Sequence, residues 1–275
     1  MSAQATSQTA APALRAQESA KVAATDVSHR FGNFLVHDRL RFSVQENEFL
    51  CICGPSGCGK TTLLDMLAGI LMPSQGRILI DGKPVDPKRD NISFVFQEPS
   101  TFPWLTVWDN IATGLRIKKT PAAEVRRKVE EILDLVGLHG FEKHYPHQIS
   151  GGMKQRVAIA RAFATDADVI LMDEPFVSLD QPTRERMQRE VLQIWEHRRR
   201  TVIFVTHNLE EAVFLGDRII ILSAKPARIV ADVPVPITRP RDPLAAEFTQ
   251  LRARCAGVLH ELHTSPGDRR SQTAA

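Results

Sequence analysis

Three glycines, one lysine and two threonines occur within nine consecutive residues, GPSGCGKTT, at positions 54–62. The stretch follows the apolar run Phe49 to Cys53 and precedes a run with helical periodicity, so it joins a predicted strand to a predicted helix. Glycines let backbone N–H groups converge on phosphate oxygens at the positive end of a helix. We expect this phosphate loop to bind a nucleotide through Gly54, Pro55, Ser56, Gly57, Cys58, Gly59, Lys60, Thr61 and Thr62.

The phosphate loop matches the P-loop pattern, Gly-x-x-x-x-Gly-Lys-Thr, in full. Lys60 is predicted to reach the β- and γ-phosphates, and the Thr61 hydroxyl to ligate Mg²⁺. The alternative, a glycine-rich turn with an incidental lysine, is weaker because a strand precedes the motif and a helix follows it. Cys58 lies at a helix N-terminus, where thiol pKa values tend to fall, so we also expect a reactive thiol that bound nucleotide protects.

A second apolar run, in VILMDEP, ends in two carboxylates, Asp173 and Glu174. A Mg²⁺ ion beside a P-loop needs a carboxylate at the end of a neighbouring buried strand, and Asp173 is predicted to supply it. Glu174 is placed to polarise the water that attacks the γ-phosphate. Alternatively, the two carboxylates only cap the next element, which is less favoured beside a P-loop.

The composition of the 275 residues excludes few classes of function. A net charge of +3 is too small to indicate nucleic-acid binding. The sequence has no stretch near the roughly 20 apolar residues that span a bilayer, and its N-terminus lacks the apolar core of a signal peptide. We expect reduced thiols, with Cys51 and Cys53 pointing to opposite faces of one strand.

Several short runs are apolar throughout, which is typical of parallel strands buried on both faces. They are Phe49 to Cys53, Val169 to Met172, Val202 to Val205 and Ile219 to Leu222. Helical patterns alternate with them, and two β-rich stretches, residues 30–48 and 76–85, predict an antiparallel layer. The predicted fold is α/β: a P-loop NTPase (RecA-like) core with an antiparallel β layer and an inserted α-helical subdomain.

The predicted domain limits follow from these patterns. Residues 1–20, biased toward Ala, Gln, Ser and Thr, are expected to be a disordered tail. Residues 21–240 are expected to form the nucleotide-binding domain, with the helical subdomain at 98–165. Residues 241–275 are expected to form a C-terminal helix and a polar tail.

The helical stretch ends in ISGGMKQR, residues 149–156, and here the sequence resembles the ATP-binding subunits of ABC transporters. In that family a Ser-Gly-Gly signature opens a helix and contacts the γ-phosphate held by the opposite subunit. The resemblance implies that role for Ser150, Gly151 and Gly152, the signature segment. Position 153 is Met, whereas the best-known signature has Gln. Many importer subunits of the family resemble this chain in having Gly-Gly-Met.

Four further positions match the family, and the resemblance covers about residues 22–240. It implies that Gln97 contacts Mg²⁺ and water, that Asp180 belongs to the D-loop, and that His207 is the switch histidine. It also implies that Phe31 stacks on adenine. The implied catalytic group is Glu174, His207, Gln97 and Lys60, and the implied metal ligands are Thr61, Gln97 and Asp173.

The family implies ATP and Mg²⁺ as cofactors and a second copy of the chain, bound head to tail. It further implies multi-span permease subunits, a periplasmic or lipoprotein substrate-binding protein, no nucleic acid, and a peripheral position on the cytoplasmic face of the inner membrane. The runs FQEPSTFPWLTVWDNI and LGDRIIILSAKPARIV are similar to the nitrate/sulfonate/taurine importer branch. Trp104 and Trp108 in the first run are candidate contacts to the permease.

Two alternatives remain open at this point. An ABC exporter subunit would share the motifs but differ in its partners. A non-transport ABC-type ATPase is less favoured, because fewer than 100 residues without sustained heptads separate the phosphate loop from the signature segment.

Overall fold

A computed structural model describes residues 20–264, without the side chains of residues 261–264. The predicted disordered tail, apart from the buried Ala20, and the polar tail beyond residue 264 lie outside this range. The strands are β1 Val22–Phe31, β2 Phe34–Val44, β3 Phe49–Cys53, β4 Gln75–Ile80, β5 Lys83–Pro84, β6 Ile92–Val95, β7 Val169–Asp173, β8 Thr201–Thr206, β9 Arg218–Leu222 and β10 Ile229–Pro234. The helices are α1 Lys60–Leu67, α2 Val107–Ile117, α3 Ala122–Leu135, α4 Gly151–Ala164, α5 Gln181–His197, α6 Leu209–Leu215 and α7 Ala246–Thr264.

The larger sheet has six strands in the order β10-β9-β3-β8-β7-β6. All pairs from β9 to β6 are parallel, and β10 adds an antiparallel edge. Every residue of β3, β7 and β8 is buried, which explains why these strands read as apolar runs without alternation. The four strands predicted from such runs are β3, β7, β8 and β9, and the parallel α/β core is confirmed.

The smaller sheet is antiparallel, in the order β2-β1-β4-β5, and confirms the predicted β layer. It shares a core with α1 and with one face of the six-stranded sheet. Along α1 that core contains Leu63, Leu64, Met66 and Leu67. The antiparallel layer is thus fastened to the helix that follows the phosphate loop.

The helical insertion consists of α2, α3, a short 3₁₀ turn at Pro146–Gln148, and α4. Thr106 caps α2 by accepting a hydrogen bond from Asp109 N at 3.1 Å. The buried residues Val107, Ile111 and Leu115 recur every four positions, as an amphipathic helix requires. Their face joins the core on the other side of the six-stranded sheet.

Helices α5, α6 and α7 contribute to the same core on the other side of the six-stranded sheet, and α7 does so through Phe248 and Cys255. Within residues 20–264, none of the helices is both long enough and apolar enough to cross a membrane.

All four cysteines are buried and free of disulfides. Cys51 and Cys53 lie on the same face of β3 and share one core, so the expectation of opposite faces was wrong. Side chains two residues apart on a strand point the same way. Cys58 is 2% exposed, and burial raises the pKa of its thiol, although Lys60 acts in the opposite direction. The expected lowering of the Cys58 pKa by the helix N-terminus was therefore also wrong.

Cys58 in the folded chain should react slowly with iodoacetamide, since the reagent needs an exposed thiolate. We expect the folded protein at pH 7.5 to label at Cys58 at least roughly ten times more slowly than the urea-unfolded chain. Site-resolved mass spectrometry of timed labelling measures both rates, and Cys51 provides a fully buried internal reference. Equal rates at Cys58 in the folded and unfolded chain would contradict this interpretation.

Candidate nucleotide site

The candidate functional residues emerge at one edge of the six-stranded sheet. Parallel strands end at the same edge, and β3, β8, β7 and β6 are consecutive neighbours there. Their carboxyl ends are continued by the phosphate loop, His207, Asp173 with Glu174, and Gln97. Ligands of open parallel sheets bind at this edge, so the topology brings residues as far apart in sequence as Gly54 and His207 to one site.

The phosphate loop turns tightly between β3 and α1. Cys58 N donates to Pro55 O at 3.2 Å, and Gly57 and Gly59 have φ values of +75° and +107°. Gly59 is the N-cap of α1, so the first helical N–H groups, including those of Thr61 and Thr62, have no earlier partner in the helix. A Cβ at Gly59 would lie 2.7 Å from Val36 Cγ1, which shows that β2 packs directly against the loop.

Lys60 is 5% exposed, and its ammonium group is fully engaged within the loop. Nζ donates to Gly54 O at 3.0 Å and to Pro55 O at 3.1 Å. It also lies 3.2 Å from Glu174 Oε1. The Lys60 charge is thus positioned by two carbonyls and balanced by the carboxylate that follows β7.

Glu174 links this lysine to the histidine that follows β8. Its Oε2 lies 2.6 Å from His207 Nδ1, and its backbone N donates to Val205 O at 3.0 Å. The φ of Glu174 is +41°, a left-handed backbone conformation that residues other than glycine rarely adopt. Such conformations often occur at functional sites. The structure therefore brings together Lys60, Glu174 and His207.

Asp173 and Thr61 form the neighbouring pair. Burial raises the pKa of the Asp173 carboxyl, and a hydrogen bond from the Thr61 side chain acts in the opposite direction. Carboxylate and hydroxyl oxygens are ligands that Mg²⁺ accepts, so this pair fits a magnesium ion. Within residues 20–264, His, Cys, Asp and Glu side chains form no cluster of three or more suited to a metal, so the remaining ligands would be water and phosphate.

Gln97 is exposed on the loop after β6, at the same edge. Among the described residues it makes no hydrogen bond to Asp173 or Glu174, so the structure does not join it to the group around Lys60.

The signature segment lies elsewhere, in a cleft of about 710 Å³ that contains no residue of the phosphate loop. Ser150 is the N-cap of α4, and its hydroxyl accepts a hydrogen bond from Met153 N at 3.3 Å. Gly151, Gly152 and Asp180 line the same cleft. The Met153 side chain is partly buried and packs against the core.

Asp180 caps α5 and accepts a hydrogen bond from Thr183 N at 3.4 Å. The hydrogen bonds from Thr183 hold the pKa of its carboxyl below the usual value.

Phe31 ends β1 in a tight hairpin opposite Phe34, and its ring is 55% exposed. The ring meets His29 edge-on at 4.7 Å. An exposed aromatic face on the hairpin whose second strand touches Gly59 can stack on a base.

Sequence analysis missed three side chains that surround the site. His37, buried in β2, lies with Nε2 3.1 Å from Gly59 O, and burial lowers its pKa to about 4. Nothing in the sequence around His37 indicates that this histidine is buried rather than exposed. Arg184 and Glu211 lie behind Glu174 and His207, and their positions four residues after Asp180 and His207 could have drawn attention to them.

Comparisons with known proteins agree with this geometry. The family model described as ABC transporter matches residues 37–177. An uncharacterized ABC transporter ATP-binding protein, MJ0412 of Methanocaldococcus jannaschii, is 46% identical over 224 residues, 82% of this chain and 84% of that protein. The aliphatic sulfonates import ATP-binding protein SsuB of Bacillus thuringiensis subsp. konkukian is 44% identical over 227 residues, 82% of this chain and 89% of that protein.

Among solved structures, the ATP-binding cassette MJ0796, a dimer in a post-hydrolysis state bound to ADP and Pi, superposes with a TM-score of 0.68. It is 32% identical and covers 79% of this chain and 100% of its own. A family match over more than half of the chain, together with relatives above 40% identity, settles the family. The chain belongs to the ABC transporters, as an ATP-binding subunit that hydrolyses ATP.

Proposed function

We propose that the chain is the ATP-hydrolysing motor of an importer for aliphatic sulfonates or a related small anion such as nitrate or taurine. The observation that carries the ATPase part is the contact of Lys60 and His207 with Glu174 at the carboxyl edge of the sheet. The importer part rests on the likeness to SsuB, an aliphatic sulfonates import ATP-binding protein, over 82% of the chain.

Lys60 is the group that receives the nucleotide phosphates. Its Nζ is held on two loop carbonyls, and its third partner, Glu174, can be exchanged for phosphate oxygen. Glu174, released from Lys60, then accepts a proton from the attacking water, while the His207 contact keeps its carboxylate oriented. Mg²⁺ held by Thr61 and Asp173, with Gln97 at the edge, would neutralise charge on the phosphates.

The separate location of the signature segment supports a head-to-tail dimer. Ser150, Gly151 and Gly152 face a cleft that contains no phosphate-loop residue, so one chain supplies only half of each site. A second copy can bring its signature segment onto the γ-phosphate, with the α4 N-terminus providing a further anion site. MJ0796, 32% identical to this chain, forms a dimer.

The surface around the loop after Gln97 is the proposed contact to the permease. Trp104 is 70% exposed, whereas Trp108 is partly buried against the core of the helical insertion, so only Trp104 can serve as an anchor. Nearby, a groove of about 750 Å³ is lined by Phe102, Ile117 and Arg161. We place the chain at the cytoplasmic face of the inner membrane, coupled through the permease to a substrate-binding protein.

Glu174→Gln should bind ATP normally but hydrolyse it roughly 10² to 10⁴ times more slowly, because the amide cannot accept the proton. The trapped ATP should hold a dimer together. Steady-state turnover and light scattering after gel filtration with ATP measure both effects. Glu185→Gln, on the exposed face of α5, is the matched control. Near-normal turnover of the Glu174→Gln variant would contradict the assignment.

A tagged chain recovered from membranes should carry a multi-span permease with it, and Trp104→Ala should reduce that recovery. The truncation removes an exposed aromatic anchor and should leave ATP affinity within about twofold. Mass spectrometry identifies the permease and the substrate-binding protein recovered with it. The ligand of that binding protein gives the class of anion. Trp108→Ala distinguishes the role of Trp108 from that of Trp104. Because Trp108 packs against the core, its truncation should lower the thermal stability of the chain.

Recovery of an exporter or of no membrane protein would contradict the importer proposal. Unchanged recovery with Trp104→Ala would place the permease contact on another surface.

A further inference from the structure

Two oppositely charged side chains lie directly behind the site. Arg184 is in α5 and Glu211 is in α6, with Arg184 Nε 3.8 Å from Glu211 Oε1. Glu211 is buried, and burial raises the pKa of its carboxyl. A buried ion pair loses hydration, so it contributes little to stability unless further hydrogen bonds satisfy both partners.

Arg184 holds the segment that connects Glu174 to Asp180. Its Nη2 donates to Leu179 O at 2.8 Å, and its Nε donates to Phe176 O at 3.3 Å. The planar guanidinium holds two carbonyls of this segment through donors on two different nitrogens, in a fixed relative orientation. The course of the segment between Glu174 and Asp180 therefore depends on where Arg184 lies.

Glu211 holds the end of β8, from which His207 emerges. Its Oε2 accepts a hydrogen bond from Thr206 Oγ1 at 2.6 Å. The same Oγ1 accepts a bond from Asn208 N at 2.9 Å. Because Thr206 and Asn208 flank His207, the position of Glu211 determines where the imidazole leaves the strand.

The two segments and the ion pair enclose one polar cavity of about 70 Å³. Glu174 and His207 line it together with Arg184 and Glu211. The ion pair is thus adjacent to the hydrogen bond between His207 and Glu174, although neither member contacts the phosphate loop among the described residues.

We propose that Arg184 and Glu211 are a positioning pair, which sets the placement of Glu174, His207 and Asp180 relative to one another. This inference rests on the proposed roles of those three residues. Neither charged group touches ATP. The pair joins the segment that presents Asp180 at the signature cleft to the strand end that presents His207 to Glu174.

A positioning role and a merely structural role differ in the kinetic constants that they affect. Loss of the pair should lower kcat, because misplacement of reacting groups by about 1 Å can cost up to 10²-fold in rate. It should leave ATP affinity within about twofold, since Lys60 and the loop carbonyls are untouched. A structural defect would instead lower the melting temperature and ATP binding together.

The test is a double-mutant cycle in the full-length chain with Arg184→Gln, Glu211→Gln and the double variant. Glutamine keeps size and hydrogen-bonding capacity, so Thr206 can still donate to position 211. We expect each single variant to lower kcat by roughly 10-fold. The double variant should lower kcat by about the same factor as one single variant, because residues that act as one unit are not additive. Fluorescent-nucleotide titration gives ATP affinity for each variant.

The exposed ion pair Arg252–Glu210, at 3.1 Å on the neighbouring position of α6, is the matched control. Arg252→Gln and Glu210→Gln should leave kcat unchanged. If Arg184→Gln does not fold, the cycle is run with Glu211→Leu and Thr206→Val, which remove the acceptor and the donor of the hydrogen bond between Thr206 and Glu211, and the same criteria apply.

Multiplying losses in the double variant, unchanged kcat, or a parallel loss of ATP affinity would overturn the positioning pair. Glu174→Gln, measured beside the cycle, distinguishes a failure of the proposed catalytic site from a failure of the positioning pair. Wild-type turnover of Glu174→Gln would refute the proposed site itself, whereas an inactive Glu174→Gln with multiplying losses would refute only the pair.

Discussion

The site depends on the burial of three neighbouring parallel strands, β3, β8 and β7, on both faces. A strand such as β3, with all five residues buried, has no place for a polar side chain until it ends. Because β3, β8, β7 and β6 are parallel neighbours, their ends lie side by side, and the polar residues that follow them must meet. The arrangement of Lys60, Glu174 and His207 is in this sense a consequence of a sheet too apolar to hold them anywhere else.

Charge balance at that edge explains how an ammonium group can be buried there. A buried ammonium without an anion would be costly, and Glu174 supplies the anion to Lys60 while also contacting His207. Phosphate oxygens can take over the same role with the same sign of charge. In the proposed mechanism, nucleotide binding is an exchange of anions around Lys60, and the displaced carboxylate of Glu174 is the group that acts on water.

Local patterns in the sequence were sufficient to predict much of the fold and of the candidate site. The apolar runs predicted β3, β7, β8 and β9, and the spacing of glycines and Lys60 predicted the phosphate loop. Interactions between distant segments were not accessible: the approach of His37 to Gly59 and the pairing of Arg184 with Glu211 exist only after α5, α6 and β2 have packed. The expected pKa of Cys58 was wrong for the same reason, since burial by the surrounding core outweighs the local effect of a helix N-terminus.

The cap of α4 has a consequence for which residues position 150 can tolerate. The Ser150 hydroxyl accepts from Met153 N and still has its own hydrogen to donate. Aspartate or asparagine would cap the helix equally well. An aspartate, however, offers acceptors alone and would repel the anion that we propose to bind there. Asparagine would have to cap with its oxygen and donate from its amide nitrogen, whereas serine or threonine does both through one hydroxyl.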